Sequence, residues 1–168
     1  AFGASRAKLH IFDHNEEAAQ ETAARISGQT MVYKVDVTDQ NQVRAAMAQV
    51  QEQAGQLDIL INNAGIAHVG TIESTAETDF DRVMSVNVKG VYNCAQAAVG
   101  VMKESGGGVI INIGSIAGSI GLPDRLVYST SKGAVLAMTY SIARDCLEYN
   151  IRCNAISPAR VHTPFVDG

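Results

Sequence analysis

The 168-residue chain has no tryptophan, only three prolines, and aromatic residues at 5% of its length. Its longest apolar runs are only a few residues, far short of the roughly 18 that a membrane-spanning helix needs. The first residues lack a charged segment followed by an apolar one, so no signal peptide is predicted. A formal charge of −4 gives no case for a nucleic-acid partner. We therefore expect neither a membrane nor a nucleic acid among its partners.

Cysteine and histidine are also sparse, and their spacing excludes the usual metal and disulfide patterns. Cys94, Cys146 and Cys153 are odd in number and contain no CxxC pair. We expect them to be reduced thiols of a cytoplasmic protein. The histidines show no metal-ligand spacing either, so no metal is predicted. They stand at positions His10, His14, His68 and His162.

Apolar residues make up 46% of the chain, which is ordinary for one globular domain. Short apolar runs predict strands at residues 9–12, 31–35, 57–61, 109–113 and 151–156. Helical spacing predicts helices at residues 15–26, 78–103 and 126–149. It also predicts a helix that begins at a cap residue, either Thr38 or Asp39. This alternation predicts one α/β domain over residues 1–168, with a doubly wound parallel sheet in a three-layer α/β/α arrangement.

Tyr128 and Lys132 are four residues apart, so a helix presents both on one face. A nearby cation favours the phenolate and lowers the pKa of a phenol from about 10 toward the range useful for acid–base catalysis. Alone, such a pair is typical of a solvated helix face. Here Ser115 lies 13 residues upstream, after the strand at 109–113, and Asn87 lies in the long helix. The segment from Asn62 to Gly65 follows the third strand.

These motifs, in this order, resemble the short-chain dehydrogenase/reductase family, and the resemblance runs from the region of Asp13 to Thr163. It implies a Rossmann-like fold and hydride exchange with a nicotinamide cofactor. Tyr128 would be the acid–base group, with Lys132 lowering its pKa and holding the nicotinamide ribose. Ser115 would bind the substrate oxygen. Asn87 would anchor a water chain to Lys132, or it would simply bend its helix.

The resemblance also implies a cofactor site at the carboxyl ends of the strands, where α/β sheets bind ligands. A carboxylate at Asp13 would accept both ribose hydroxyls of NAD and repel the 2′-phosphate of NADP, although it also suits a helix cap. We therefore expect NAD in preference to NADP. Asp36 and the Val37 backbone would meet the adenine. The remaining implied contacts are Asn62, Asn63, Ala64, Gly65, Pro158, Val161 and Thr163.

Measured against the family, the chain is expected to be truncated at both ends. Only 12 residues precede Asp13, too few for the strand, glycine-rich turn and helix that open a dinucleotide-binding unit. The first strand and this turn are therefore expected to be missing. The family's strand order would place that strand between those ending at Asp13 and Asn62, so both would expose unpaired edges.

Two arginines are candidate contacts for a substrate carboxylate. The family usually has Pro-Gly after the last of these strands, whereas this chain has Pro158-Ala159, followed by Arg160 at the mouth of the site. Arg125 lies three residues before Tyr128. Either guanidinium suits a bidentate pair with a carboxylate, and either is also an ordinary surface charge.

The sequence thus predicts an NAD-dependent oxidoreductase that interconverts a secondary alcohol and a ketone, on a small hydroxy acid or polyol. One alternative is a 3-oxoacyl thioester reductase that uses NADPH and an acyl carrier protein, against which Asp13 argues. Another is a non-catalytic NAD-binding protein or an inactive fragment. The helices at 78–103 and 126–149 match those that pair subunits in the family, so we expect a homo-oligomer, usually a tetramer.

Overall fold

A computed structural model describes residues 7–159. Strands and helices alternate as β1 (Leu9–Asp13), α1 (Glu16–Ala24), β2 (Thr30–Lys34), α2 (Gln40–Ala54), β3 (Ile59–Asn62), α3 (Glu77–Met84), α4 (Gly90–Glu104), β4 (Gly108–Ile113), α5 (Leu126–Asp145) and β5 (Ile151–Ile156). A π-helical turn, Ser85–Lys89, joins α3 to α4, and short 3₁₀ turns occupy Ile116–Gly118 and Leu147–Tyr149. The predicted α/β, Rossmann-like class is confirmed.

The parallel strands form two separate sheets. One consists of β1 and β2, and the other has the order β3-β4-β5. Within residues 7–159 no strand joins β1 to β3, and residues of both strands line a groove between them, including Phe12 and Leu60. The two expected unpaired edges are therefore present in the described part of the chain.

Side chains that accept backbone N–H groups begin the first two helices. The Asn15 side chain accepts from the N–H of Ala18 at the start of α1. The Asp39 carboxylate accepts from the N–H groups of Asn41 and Gln42 and begins α2, as the sequence predicts. The buried face of α2 is also the predicted one, consisting of Val43, Ala46, Met47 and Val50.

The apolar core lies where α4 and α5 pack on β4 and β5. Met102 of α4, Ile110 of β4 and Ile151 of β5 are all fully or almost fully buried there. The three cysteines are buried and form no disulfide, and burial raises the pKa of Cys94 and Cys153 to about 11. These thiols are therefore protonated side chains of the interior.

A buried polar chain crosses the sheet from β3 to α5. The Asn62 amide donates to Asn112 Oδ1 at 2.8 Å, and the Asn112 amide donates to Thr139 Oγ1 at 2.9 Å. Thr139 in turn donates to the Val135 carbonyl one turn earlier in α5. Because buried polar groups need partners, this chain fixes the register of β3, β4 and α5.

The elements differ from the prediction at three places. The predicted helix at 78–103 is present, but it contains a π-helical turn at Ser85–Lys89 between α3 and α4. The last long helix ends at Asp145, and a 3₁₀ turn follows it. The third strand is also not covered on both faces, because Ile59 and Ile61 are 43% and 42% exposed.

Gly90 lies at a close contact between α4 and the loop after β2. A Cβ at Gly90 would lie 2.8 Å from Val37 Cγ2, so glycine allows α4 to approach the loop after β2.

Candidate active site

Lys132 points from α5 into the interior and is only 6% exposed. Its Nζ donates a 2.7 Å hydrogen bond to the carbonyl of Ile113, the last residue of β4. Burial lowers the pKa of Lys132. Tyr128 stands one turn earlier, with its ring centroid 5.8 Å from this Nζ. The structure therefore brings the two predicted side chains together at the carboxyl end of β4.

Ser115 lies at the end of the same strand and begins the turn Ile116–Gly118. Its Oγ accepts from the N–H of Ala117 at 3.2 Å. Within residues 7–159 its hydroxyl donates to no group, so this proton is available to a substrate oxygen. The N–H of Ile116 donates to the Pro158 carbonyl at 3.1 Å, which places predicted residue Pro158 beside this turn.

Gly118 allows this turn to lie directly on the backbone of α5. A Cβ at Gly118 would lie 2.7 Å from the carbonyl carbon of Lys132 and 2.8 Å from the nitrogen of Gly133. Any larger residue would push the Ser115 turn and α5 apart. The separation of Ser115 from the Tyr128 helix therefore depends on a glycine whose role the sequence analysis did not predict.

Asn87 occupies the π-helical turn and is 1% exposed. Its Oδ1 accepts from the N–H of Ile66 at 2.8 Å, and its Nδ2 donates to the Ile66 carbonyl and to Ser131 Oγ, both at 2.9 Å. The helix is distorted at Asn87, which was one of the two interpretations of this residue. π-helical turns of this kind are frequent at functional sites. The side chain joins the loop after β3 to α5.

Gly65 connects this amide to Lys132. A Cβ built on Gly65 would lie 3.4 Å from Asn87 Oδ1 and 3.6 Å from Lys132 Nζ. The amide oxygen and the amine therefore face the same side of Gly65, the last residue of the predicted cofactor segment.

Five of the predicted cofactor residues line one groove of ≈ 510 Å³. They are Asp13, Val37, Asn62, Asn63 and Ala64. The same groove continues between β1 and β3.

The acidic residues at this edge also have local structural roles. Asp13 Oδ1 accepts from the N–H of Asn15 at 2.8 Å, while within the described residues Oδ2 accepts no hydrogen bond. Asp36 accepts from the N–H of Thr38 at 2.9 Å. The cap of α1 is Asn15, so Asp13 supports the turn before the helix and retains a carboxylate oxygen for a ligand.

Asn93 holds the Val37 segment of this groove. Its Nδ2 donates to the Val37 carbonyl at 2.8 Å from a fully buried position in α4. No pattern in the sequence indicates this contact, because an asparagine in a helix is not distinguished by spacing from any other polar residue.

Arg125 begins α5 and is half-buried. Its guanidinium donates to the Asp124 carbonyl at 3.0 Å and forms no ion pair with any acidic residue of the described chain. The loops after β3 and β4 meet here, since the N–H of Gly70 donates to Asp124 and the N–H of Leu126 donates to Gly70. Three further predicted residues lie outside the described residues, namely Arg160, Val161 and Thr163.

The residues from 7 to 159 contain no group of three histidine, cysteine or acidic side chains placed to hold a metal ion. None of the helices described there has the length and apolarity needed to cross a membrane.

Known proteins with similar sequences and structures indicate one family. A family model described as short chain dehydrogenase matches residues 1–168. An uncharacterized oxidoreductase of Thermotoga maritima is 46% identical over 161 residues, which cover 94% of this chain and 63% of that protein. The chain thus spans less than two thirds of the length of this curated relative.

Two solved structures share 34% identity with the chain. An NAD⁺-bound xylitol dehydrogenase has a TM-score of 0.92, with 96% of this chain and 64% of that one covered. A gluconate 5-dehydrogenase from Burkholderia cenocepacia, in complex with NADP and tartrate, has a TM-score of 0.85, with 95% and 64% covered.

Gly118→Ala should destabilise the native protein by about 1–3 kcal/mol, because its Cβ overlaps the backbone of α5. Gly100→Ala is the matched control, since a Cβ there meets nothing within 4 Å and helical alanine is favoured by about 0.5–1 kcal/mol. Urea unfolding of both variants measures the difference. Equal stability of Gly118→Ala and the native protein would contradict the close contact.

Proposed function

We propose that the chain, which belongs to the short-chain dehydrogenase family, acts as an NAD-dependent oxidoreductase that interconverts a secondary alcohol and a ketone. One observation carries this proposal. A buried lysine, a tyrosine and a serine whose hydroxyl donates to no group among residues 7–159 converge at the carboxyl end of β4, next to a groove lined by the predicted cofactor residues.

The groove offers chemistry that suits a dinucleotide. Asp13 presents a carboxylate oxygen for ribose hydroxyls, and Val37 and Ala64 supply apolar surface and backbone groups. Among residues 7–159, Lys132 Nζ donates one hydrogen bond, to the Ile113 carbonyl. An ammonium has three N–H donors, so the other two would bind ribose oxygens. When bound, the nicotinamide ring supplies the acceptor or donor of hydride.

Tyr128 is proposed to move the proton. In oxidation its phenolate oxygen takes the hydroxyl proton of the alcohol while the carbinol carbon gives up its hydride. In reduction the phenol returns that proton to the carbonyl oxygen. Lys132 places its Nζ 5.8 Å from the centroid of the Tyr128 ring, and the Ser115 hydroxyl would donate its hydrogen bond to the substrate oxygen.

Asn87 is proposed to anchor a proton-conducting water chain that reaches Lys132. Both hydrogens of its amide already have protein acceptors, so the side chain contributes Oδ1, on the side that faces Gly65 and Lys132. The amide thus combines a structural role with this second one.

NAD is proposed in preference to NADP. The two solved relatives carry NAD⁺ in one case and NADP in the other, so the family alone leaves the choice open. Asp13 supports NAD, because its carboxylate at the end of β1 would repel a 2′-phosphate. His14 follows Asp13 in the chain, with its Nδ1 3.3 Å from Asp13 Oδ1.

The proposed substrate is a small hydroxy acid or polyol. Names of the solved relatives, a xylitol dehydrogenase and a gluconate 5-dehydrogenase, support this class. Arg125 favours an acid, since it lies one turn before Tyr128 and has no carboxylate partner within the described chain. Arg160 remains the second candidate.

We propose that the protein functions as a homotetramer in the cytoplasm. Tyr92 on α4 and Tyr140 on α5 are 44% and 71% exposed and give these helices apolar outer surface. The three buried, unpaired thiols support a reducing compartment.

Tyr128→Phe should lower kcat by about 10²–10⁴-fold because the proton donor is removed. Dinucleotide affinity, measured by calorimetry, should stay within about twofold. Tyr140→Phe removes an exposed hydroxyl of the same helix and should leave kcat unchanged. Turnover of Tyr128→Phe close to that of the control would exclude Tyr128 as the acid–base group.

Asp13→Asn should reduce the preference for NAD⁺ over NADP⁺ by about tenfold, because the carboxylate charge is lost while an amide oxygen still accepts from Asn15. Glu16→Gln removes a nearby charge from the first turn of α1 and controls for long-range effects. Dissociation constants for both dinucleotides give the ratio. A native protein that prefers NADP⁺ would show that the assignment is wrong.

Arg125→Met should lower kcat/KM for a hydroxy acid by about 10- to 100-fold and leave its methyl ester unaffected, as expected for a charge-assisted hydrogen bond. Arg144→Met, at the far end of α5, is the control. Equal effects on the acid and its ester would show that Arg125 is an ordinary surface charge. They would favour a neutral polyol as the substrate.

A further inference from the structure

Ser131 precedes Lys132 and is fully buried. Its hydroxyl donates to the carbonyl of Tyr128 at 2.7 Å and accepts from Asn87 Nδ2 at 2.9 Å. The side chain therefore connects the backbone of the tyrosine to the asparagine of the π-helical turn. In the sequence this serine is only one of several small residues on α5.

The direction of these bonds is fixed by Ile66. Asn87 faces both the N–H and the carbonyl of Ile66, so its oxygen must face the first and its nitrogen the second. The second hydrogen on Nδ2 is then left for Ser131, whose only proton goes to Tyr128. One continuous chain of hydrogen bonds thus runs from the loop after β3 to the turn of α5 that bears Tyr128.

A second clamp of the same chemistry occurs on α5, away from the site. Thr139 accepts from an asparagine amide, that of Asn112, and donates to the Val135 carbonyl one turn earlier. It is also buried. Both clamps join a buried asparagine to a helix hydroxyl, but only the one at Ser131 ends on the backbone of Tyr128. Thr139 is therefore a matched reference for the stability that such a bond provides.

We propose that Ser131 is a positioning residue that holds the Tyr128 turn at a fixed place relative to Asn87 and the loop of Ile66. The inference rests on the oxidoreductase function proposed above. Without the hydroxyl, Asn87 retains a buried N–H with no acceptor, and the Tyr128 carbonyl loses a side-chain donor. The Asn87 amide and the Tyr128 carbonyl can then find new partners only by moving. This movement displaces the phenol of Tyr128. Ser131 is fully buried and its hydroxyl is bonded to the Tyr128 carbonyl and to Asn87, so it acts through these two residues.

The effect expected for Ser131→Ala is a fall in kcat of about 10- to 100-fold, since misplacement of a catalytic group by about 1 Å costs up to this much. The KM and the dissociation constant for NAD⁺ should stay within about twofold, because the ligand contacts are unchanged. Thr139→Ala removes an equivalent buried hydroxyl and should lower Tm by a similar amount without changing kcat. Ser131→Thr keeps the hydroxyl, which threonine in helices also directs to a preceding carbonyl. Its extra methyl group enters a fully buried position and should lower Tm, but kcat should be about tenfold higher than in Ser131→Ala.

The experiment compares the native full-length protein with these three variants, using NAD⁺ and a panel of polyols and hydroxy acids. A selective loss of kcat in Ser131→Ala, with this recovery in Ser131→Thr, supports the proposal. Equal kcat in Ser131→Ala and Thr139→Ala would overturn it, and so would failure of Ser131→Ala to fold, which would show a structural role only. A native protein that binds NAD⁺ but oxidises no member of the panel would overturn the proposed function and this inference together.

Discussion

The buried ammonium of Lys132 is the group on which the arrangement of the site depends. An amine removed from water needs hydrogen-bond partners, and the Ile113 carbonyl at the end of β4 provides one at 2.7 Å. This bond ties the middle of α5 to the carboxyl end of a central strand. Because Tyr128 is one turn away and Ser115 follows Ile113 by two residues, the same bond brings all three together.

Close backbone contacts and buried amides keep this bond in place. Gly118 lets the Ser115 turn rest on α5, and Gly90 lets α4 approach Val37 at the edge of the groove. Asn87 joins the loop after β3 to the helix that carries Lys132. Such contacts involve backbone and fully satisfied polar groups, so the elements around the site have little freedom to shift.

Much of this was predictable from periodicity and cap chemistry. β5 has the predicted bounds, and the buried face of α2 was correctly assigned, because both follow from local pattern. The pair Tyr128 and Lys132 and the placement of Ser115 followed from helical spacing and position after a strand. The exposure of Ile59 and Ile61 agrees with the predicted gap beside β3, since both residues line the groove between β1 and β3. The π-helical turn, Ser131 and Asn93 depend on partners distant in sequence, which no local pattern records.

Transfer of deuterium tests the central claim, that these residues serve hydride exchange between an alcohol carbon and a nicotinamide. The native full-length protein would be incubated with NAD⁺ and secondary alcohols deuterated at the carbinol carbon, drawn from polyols and hydroxy acids, and the recovered dinucleotide analysed by mass spectrometry and NMR. We expect NADH with one deuterium at C4 of the nicotinamide. A protein that binds NAD⁺ and converts the alcohol, yet leaves no deuterium on the dinucleotide, would contradict it.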